Sequence, residues 1–271
     1  MLPGINQWGF PNDLPTTEAI TLAKQIGFSA FEVCVGDEGP TSLDLSEKEA
    51  TAIRRHAESL GIALCSVANG MGWKYHLTSP DAANREKAKE TIAQTLQVAS
   101  WLGADAVLVV PGVCDDATRY DIGIENALKS VRELADAAEK LKVSIAIENV
   151  WNKFLLSPDE MRDFIDQCES KYVGAYFDTG NIMLYGLPEQ WIEILGNRIR
   201  AVHLKDFRCA VGNLDGFVML MEGDVNWPAV MSALRGIDYD RALTAEYWPY
   251  KHSLEATLRQ VLAGQQAILA L

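Results

Sequence analysis

Eight short, largely apolar runs recur along this chain, each followed by a longer stretch of helical amphipathicity. No other feature narrows the choice of fold so far. The runs are Ile5–Phe10, Ala30–Val35, Ala63–Ala68, Ala106–Val110, Ser144–Val150, Gly174–Asp178, Ala201–Lys205 and Leu243–Trp248. They are mostly apolar rather than alternating, as parallel strands are when helices cover their outer face. Spread over 271 residues they return every ~34 residues, about the length of one strand–helix unit with its loops.

The intervening stretches carry helix start and stop signals. Ser46-Glu47-Lys48-Glu49 is a capping box ahead of Ala50–Leu60, and Gly61 stops that helix. Ser79-Pro80-Asp81 opens a helix that runs to about Trp101-Leu102 and ends at Gly103. Ser157-Pro158 sets a capping side chain before a proline in the first turn, and Asn226-Trp227-Pro228 does the same. Ser253 to Leu271 reads as an amphipathic terminal helix. The expected fold class is α/β, a single (β/α)8 TIM barrel occupying 1–271 as one domain. An open doubly wound sheet is the rival, but it would follow its first strand with a Gly-rich turn. Here Phe10-Pro11-Asn12-Asp13 stands there instead.

Composition excludes several classes. Apolar residues make up 48% and charged ones 23%, which rules out bulk disorder. No apolar run approaches the roughly 20 residues a membrane-spanning helix needs, so no membrane partner is expected. With 24 basic against 37 acidic residues the net charge is −13, a surface that repels phosphate backbones, so no nucleic acid partner is expected either. MLPGINQWGF holds no basic segment leading into an apolar stretch, and no secretory signal is expected. Five scattered cysteines (Cys34, Cys65, Cys114, Cys168, Cys209) form no C-x-x-C pair. They read as free, buried thiols in a reducing cytoplasm.

Chemistry in a (β/α)8 barrel gathers at the carboxyl ends of the strands. Four successive apolar runs end in a group that ionises or binds metal: Glu148, Asp178, His203 and Glu246, at separations of 30, 25 and 43 residues. On four consecutive strands these side chains converge. Three crowded carboxylates repel one another unless a cation lies among them. Carboxylates with one imidazole suit Mn²⁺, Mg²⁺, Co²⁺ or Zn²⁺.

The segments IENVWNKF, YFDTGN, VHLKDF and AEYW, which carry those four residues, resemble the xylose isomerase-like sugar-phosphate isomerase/epimerase family of TIM barrels. HLTSPDAANREKA and the stretch Glu222-Gly223-Asp224-Val225-Asn226-Trp227 look like that family too, so the resemblance runs along nearly the whole chain. Within it the sequence is most similar to ketose 3-epimerases of the D-tagatose 3-epimerase type. The resemblance implies one divalent cation, most often Mn²⁺, held by Glu148, Asp178, His203 and Glu246. It also implies that Glu148 and Glu246 are catalytic, exchanging protons with opposite faces of a ketose or ketose phosphate through an enediolate. A homodimer or homotetramer is expected on the same ground.

The chain departs from the family pattern in two places. Asn181 stands where members often have a histidine three residues after the strand-six aspartate, and Leu155 follows Asn152-Lys153-Phe154 where a glutamate is expected. Substrate contacts are assigned to Glu32, read as ending strand two, and to Trp8, Trp73, Asn181, Lys205 and Arg208. Trp151 and Trp248 fall near the same rim, while Lys74 and His76 read as a solvated loop; His56 and His252 read as surface residues. Two other functions fit the scaffold: an inosose-type dehydratase using the same metal site, and a non-catalytic sugar-binding barrel. An endonuclease IV-like role needs more than four histidines and a basic face.

Overall fold

The computed structural model describes residues 1–248 and 252–271. Its strands are β1 (Leu2–Asn6), β2 (Ala30–Val35), β3 (Ala63–Asn69), β4 (Ala106–Val109), β5 (Ser144–Glu148), β6 (Val173–Asp178), β7 (Ile199–Leu204) and β8 (Ala242–Ala245). They close a parallel barrel in the order β1-β8-β7-β6-β5-β4-β3-β2. Outside lie α1 (Thr16–Ile26), α2 (Glu47–Leu60), α3 (Ala82–Leu102), α4 (Tyr120–Leu141), α5 (Pro158–Gln167), α6 (Pro188–Leu195), α7 (Trp227–Gly236) and α8 (Leu254–Leu269). The protein is a single (β/α)8 TIM barrel, as the eightfold pattern predicts.

Local signals act where the sequence puts them. Ser46 and Glu49 close a reciprocal capping box on α2, as do Ser157 and Glu160 on α5, and Gly61 ends α2 in the left-handed region at φ 64°. In the Ser79-Pro80-Asp81 group it is Asp81 that caps α3, accepting from the Ala83 amide at 2.9 Å. Asn226 and Ser253 cap α7 and α8. The end of α4 carries no glycine; Lys142 takes up the left-handed position at φ 57°.

The first strand differs from its expected span of Ile5–Phe10. Pairing runs over Leu2–Asn6, because Asn6 Oδ1 accepts the Trp8 amide at 2.7 Å and turns Gln7–Gly9 into a 3₁₀ helix. Pro3 and Gly4, poor strand formers, hide the true start. Gly4 sits in a tight spot: a Cβ there would lie 3.1 Å from Thr244 Oγ1 and 3.3 Å from Ala30 Cβ, so those neighbours would have to give by a few tenths of an ångström. The last strand likewise stops at Ala245, leaving Glu246–Trp248 beyond the ladder.

Apolar packing divides into two layers. The larger lies between barrel and helices, where Ile20, Leu96, Val131 and Ile192 meet the outward residues of the strands. The smaller fills the barrel with Cys34, Ala68, Leu108, Ala146, Tyr176 and Ala201. Strand side chains alternate faces, so the residue two places on from each inward residue also points inward. Ala146 therefore leads to Glu148, Tyr176 to Asp178 and Ala201 to His203. All five cysteines are free, but only Cys34, Cys114 and Cys168 are buried; Cys65 is half-buried and Cys209 exposed, which corrects the expectation of uniform burial. Among the described residues no helix is long and apolar enough to cross a membrane.

Candidate metal centre and its cavity

Glu148, Asp178, His203 and Glu246 each present one ligand atom at the carboxyl end of the barrel, and these atoms lie within 4.8 Å of one another. His203 Nδ1 is 3.2 Å from Glu148 Oε1, 3.0 Å from Glu246 Oε2 and 4.0 Å from Asp178 Oδ2. Asp178 and His203 are fully buried, and Glu148 nearly so.

Neighbouring motif residues hold these groups in place. Asn149 Nδ2 donates to the Asp178 carbonyl at 2.8 Å while its Oδ1 accepts the Asp178 amide at 2.9 Å, pinning the end of β6. Asp178 Oδ1 accepts the Gly180 and Asn181 amides at 2.9 and 2.8 Å. Its Oδ2 has no hydrogen bond of acceptable geometry, although Lys205 Nζ stands 3.2 Å away. Thr179 Oγ1 donates to the Lys205 carbonyl at 2.8 Å and accepts its amide at 3.1 Å. Gly180 leaves room for that approach, since a Cβ would lie 2.7 Å from Lys205 Cβ. Asp206, two residues beyond β7, gathers the Met221, Gly223 and Val225 amides and Trp227 Nε1, and so folds the Glu222–Trp227 stretch beneath it.

The electrostatics show what the cluster lacks. Burial pushes the Glu148 carboxyl up to about 7, against the pull of His203. Burial also raises Glu246, but the Lys205 ammonium and His203 outweigh it and hold that carboxyl at about 2. Asp178 is raised by burial despite Lys205. Burial disfavours charge on His203, yet the facing carboxylates, Glu32 foremost, raise it well above its ordinary value. Three carboxylates thus lean on one imidazole and one ammonium for counter-charge. A buried carboxylate oxygen without a hydrogen bond, three oxygen donors and an inward Nδ1 together fit a divalent cation.

Above the cluster opens a cavity of about 420 Å³, the size of a small-molecule site. Asn69, Glu148, Asn181, Lys205 and Glu246 supply polar side chains to its lining. Trp8, Trp73, Trp151, Trp248, Leu214 and Phe217 supply much of its apolar wall. Trp151 is held by donating Nε1 to the Asn181 carbonyl at 2.6 Å and by packing on Phe207 and Phe217. Phe207 and Phe217 belong to a short antiparallel pair, Asp206–Phe207 with Phe217–Val218, that follows β7.

Of the six residues assigned to substrate from the sequence, Trp8, Trp73, Asn181 and Lys205 line this cavity. Glu32 and Arg208 do not. Glu32 is the third of six residues in β2 and wholly buried beneath His203, because the run continues through Val35 before leaving the barrel. Arg208 is exposed and donates to the Glu222 carbonyl at 3.1 Å. The Asn181 amide already donates to the Asn149 carbonyl at 2.9 Å. Leu155, the other departure from the expected pattern, is buried in the outer core rather than facing the cavity. Lys74 pairs with Asp37 on the surface.

Sequence reasoning missed Asn6, Ser66 and Tyr176, which bond Glu32 inside the barrel. The two-residue strand period would have found Tyr176, which stands two before Asp178. It missed Leu214 and Phe217 because they lie in a connecting loop with no periodicity to follow.

A family profile described as xylose isomerase-like TIM barrel matches residues 20–267. The Escherichia coli (strain K12) protein named "Putative L-ribulose-5-phosphate 3-epimerase SgbU" is 26% identical over 263 residues, covering 92% of this chain and 89% of that one. A D-psicose 3-epimerase crystallised in the presence of D-fructose superimposes with a TM-score of 0.83 at 18% identity, over 100% of both chains. The IOLI protein with a bound zinc atom superimposes with a TM-score of 0.84 at 17% identity, over 100% of this chain and 98% of the other.

Proposed function

The chain belongs to the xylose isomerase-like TIM barrel family, and from that premise we propose that it is a divalent-metal-dependent epimerase or isomerase of a ketose or ketose phosphate. One observation carries the reading: two glutamates, an aspartate and a histidine offer ligand atoms within 4.8 Å of one another on the floor of a sugar-sized cavity. The names of the E. coli relative and of the D-psicose 3-epimerase support the same class of reaction.

Glu148, Asp178, His203 and Glu246 are the residues that would hold the cation. When bound, a divalent cation supplies positive charge to the substrate's carbonyl and hydroxyl oxygens, making the neighbouring C–H more acidic. Glu246, a carboxylate that lines the cavity, is placed to accept a proton from the carbon beside the carbonyl. Glu148, held near neutrality in its proton affinity, is suited to return one. Two carboxyl groups on different strands meet the requirement of inversion, since a single base tends to return the proton to the face it left. Lys205 Nζ, 2.8 Å from Glu246 Oε2, keeps that carboxylate oriented. Trp8, Trp73, Trp151 and Trp248 offer flat apolar faces to sugar C–H surfaces and keep water from the reacting carbon.

The test is incubation of the metal-loaded protein with a panel of ketoses and ketose phosphates in D₂O. Deuterium entering the carbon beside the carbonyl, together with the epimeric or isomeric product, is expected. Loss of water to an ultraviolet-absorbing product would point instead to the dehydratase, and no exchange with any substrate to a binding protein. Elemental analysis of protein purified without chelator gives the metal independently, with Mn²⁺ expected.

A further inference from the structure

Glu32 is a buried acid that the reaction above does not use. It lies in β2 with no exposed surface, on the far side of His203 from the metal-binding cluster. Its Oε2 accepts from Asn6 Nδ2 and lies 2.6 Å from His203 Nε2. Its Oε1 accepts from Ser66 Oγ at 2.8 Å and from the Tyr176 hydroxyl at 2.6 Å. Asn6, Ser66 and Tyr176 belong to β1, β3 and β6, so the carboxylate is gripped from three other strands. An ionised carboxylate in a barrel interior is costly unless its oxygens are saturated in this way, and an apolar side chain would pack there without that cost. The acid is therefore best explained by the one partner that faces the cavity floor.

That partner is His203. Both ring nitrogens face carboxylates, but a cation held among Glu148, Asp178 and Glu246 would take the place of the Nδ1 proton, and the one N–H of the neutral imidazole then stays on Nε2. Nε2 faces Glu32. Nδ1 then points its lone pair at the space between Glu148, Asp178 and Glu246. The Tyr176 ring, 4.4 Å between centroids from the His203 ring, fixes the plane in which this happens. We infer that Glu32 is a positioning residue: by accepting from Nε2–H it selects the His203 tautomer, and the ring orientation, whose Nδ1 can ligate a divalent cation. Asn6, Ser66 and Tyr176 act one step further out by holding Glu32. The assignment rests on the metal-centre reading of the preceding subsection.

Zinc binding, measured by calorimetry on the full chain, tests it. Glu32→Gln, folded by circular dichroism and with a melting midpoint in EDTA close to that of the wild type, is expected to bind Zn²⁺ about 10–100-fold more weakly. On the zinc-loaded wild type, ¹⁵N-histidine NMR is expected to place the His203 proton on Nε2; four histidines in all keep the spectrum assignable. An unchanged zinc affinity in Glu32→Gln, or a proton found on Nδ1 in the loaded wild type, overturns the positioning role while leaving the metal centre standing. A wild type that binds no divalent ion overturns the metal centre and this role with it. Should Glu32→Gln fail to fold, the wild-type tautomer alone decides.

Discussion

The barrel has a cavity at each end, and the two are built on opposite terms. At the carboxyl ends of the strands, four candidate ligand groups crowd under an aromatic wall, with a buried Asp178 oxygen left without a hydrogen bond. At the amino ends, a hollow of about 230 Å³ is lined by small residues such as Ala30, Ala63 and Ala242, and its charges, Arg241 and Asp105, are paired with each other. Both ends share the same strands and the same alternation of side chains. They differ in what each leaves unsatisfied, and an unsatisfied polar group persists in a folded chain only where something else completes it. The carboxyl-end cluster, at the mouth, holds such a group; among the described residues lining the amino-end hollow, the floor, there is none.

Substitution at the mouth should therefore cost activity more than stability, and the largest effect expected is at Glu246. Glu246→Gln should lower the rate of ketose deuterium exchange by about 10³-fold, some 4 kcal/mol in activation free energy, as loss of a positioned acid–base group does. Its melting midpoint in EDTA should move by only a few degrees. Exchange at the wild-type rate would remove Glu246 from the reaction.

Asp206 sharpens the contrast, because it stands near the mouth yet has all the partners it needs. Its carboxylate takes the Met221, Gly223 and Val225 amides and Trp227 Nε1. Asp206→Ala should lose about 3 kcal/mol of stability in urea titration, since several buried donors are orphaned together. A loss below about 1 kcal/mol would mean that the Glu222–Trp227 stretch holds itself.

Cation binding should separate the two ends without any mutation. At a free concentration 100 times its dissociation constant, Mn²⁺ should add about 2.7 kcal/mol to unfolding free energy. The gain should vanish in Asp178→Ala and persist in Arg241→Ala; a gain retained by Asp178→Ala would place the ion elsewhere.

The smallest change is expected at the floor. Arg241→Ala should cost no more than about 1 kcal/mol, because Asp105 is more than half exposed and solvent screens the pair. Exchange kinetics should stay within about twofold of wild type. A large kinetic defect would show that the two ends communicate.

Much of the molecule was legible beforehand for identifiable reasons. The capping box at Ser46, the cap at Ser157, and the apolar runs of β2 and β5 are local: they state their structure within a few residues. The four clustered positions were legible because a polar residue ending a buried strand is anomalous where it stands. Other positions were misread where local cues ran the wrong way. Pro3 and Gly4 disguised the start of β1, and Glu32 was assigned to substrate although the run Ala30–Val35 already places it three residues short of the strand's end. Arg208 was assigned to substrate as the match of an arginine in the resembled family, yet the hairpin after β7 turns it to the surface.

Periodicity and punctuation thus specify the eightfold barrel and the strands on which its ionisable groups ride, because hydrogen-bonding period and capping are properties of adjacent residues. Which of those groups meet is a different matter. That Glu32 from β2 lies 2.6 Å from His203 of β7, or that Trp151 packs against Phe217, follows from closing the barrel, since no signal within either segment refers to the other. Division of labour between a carboxylate that faces the cavity and one that braces an imidazole from beneath is settled by depth in the barrel, a coordinate that exists only once the strands have come together.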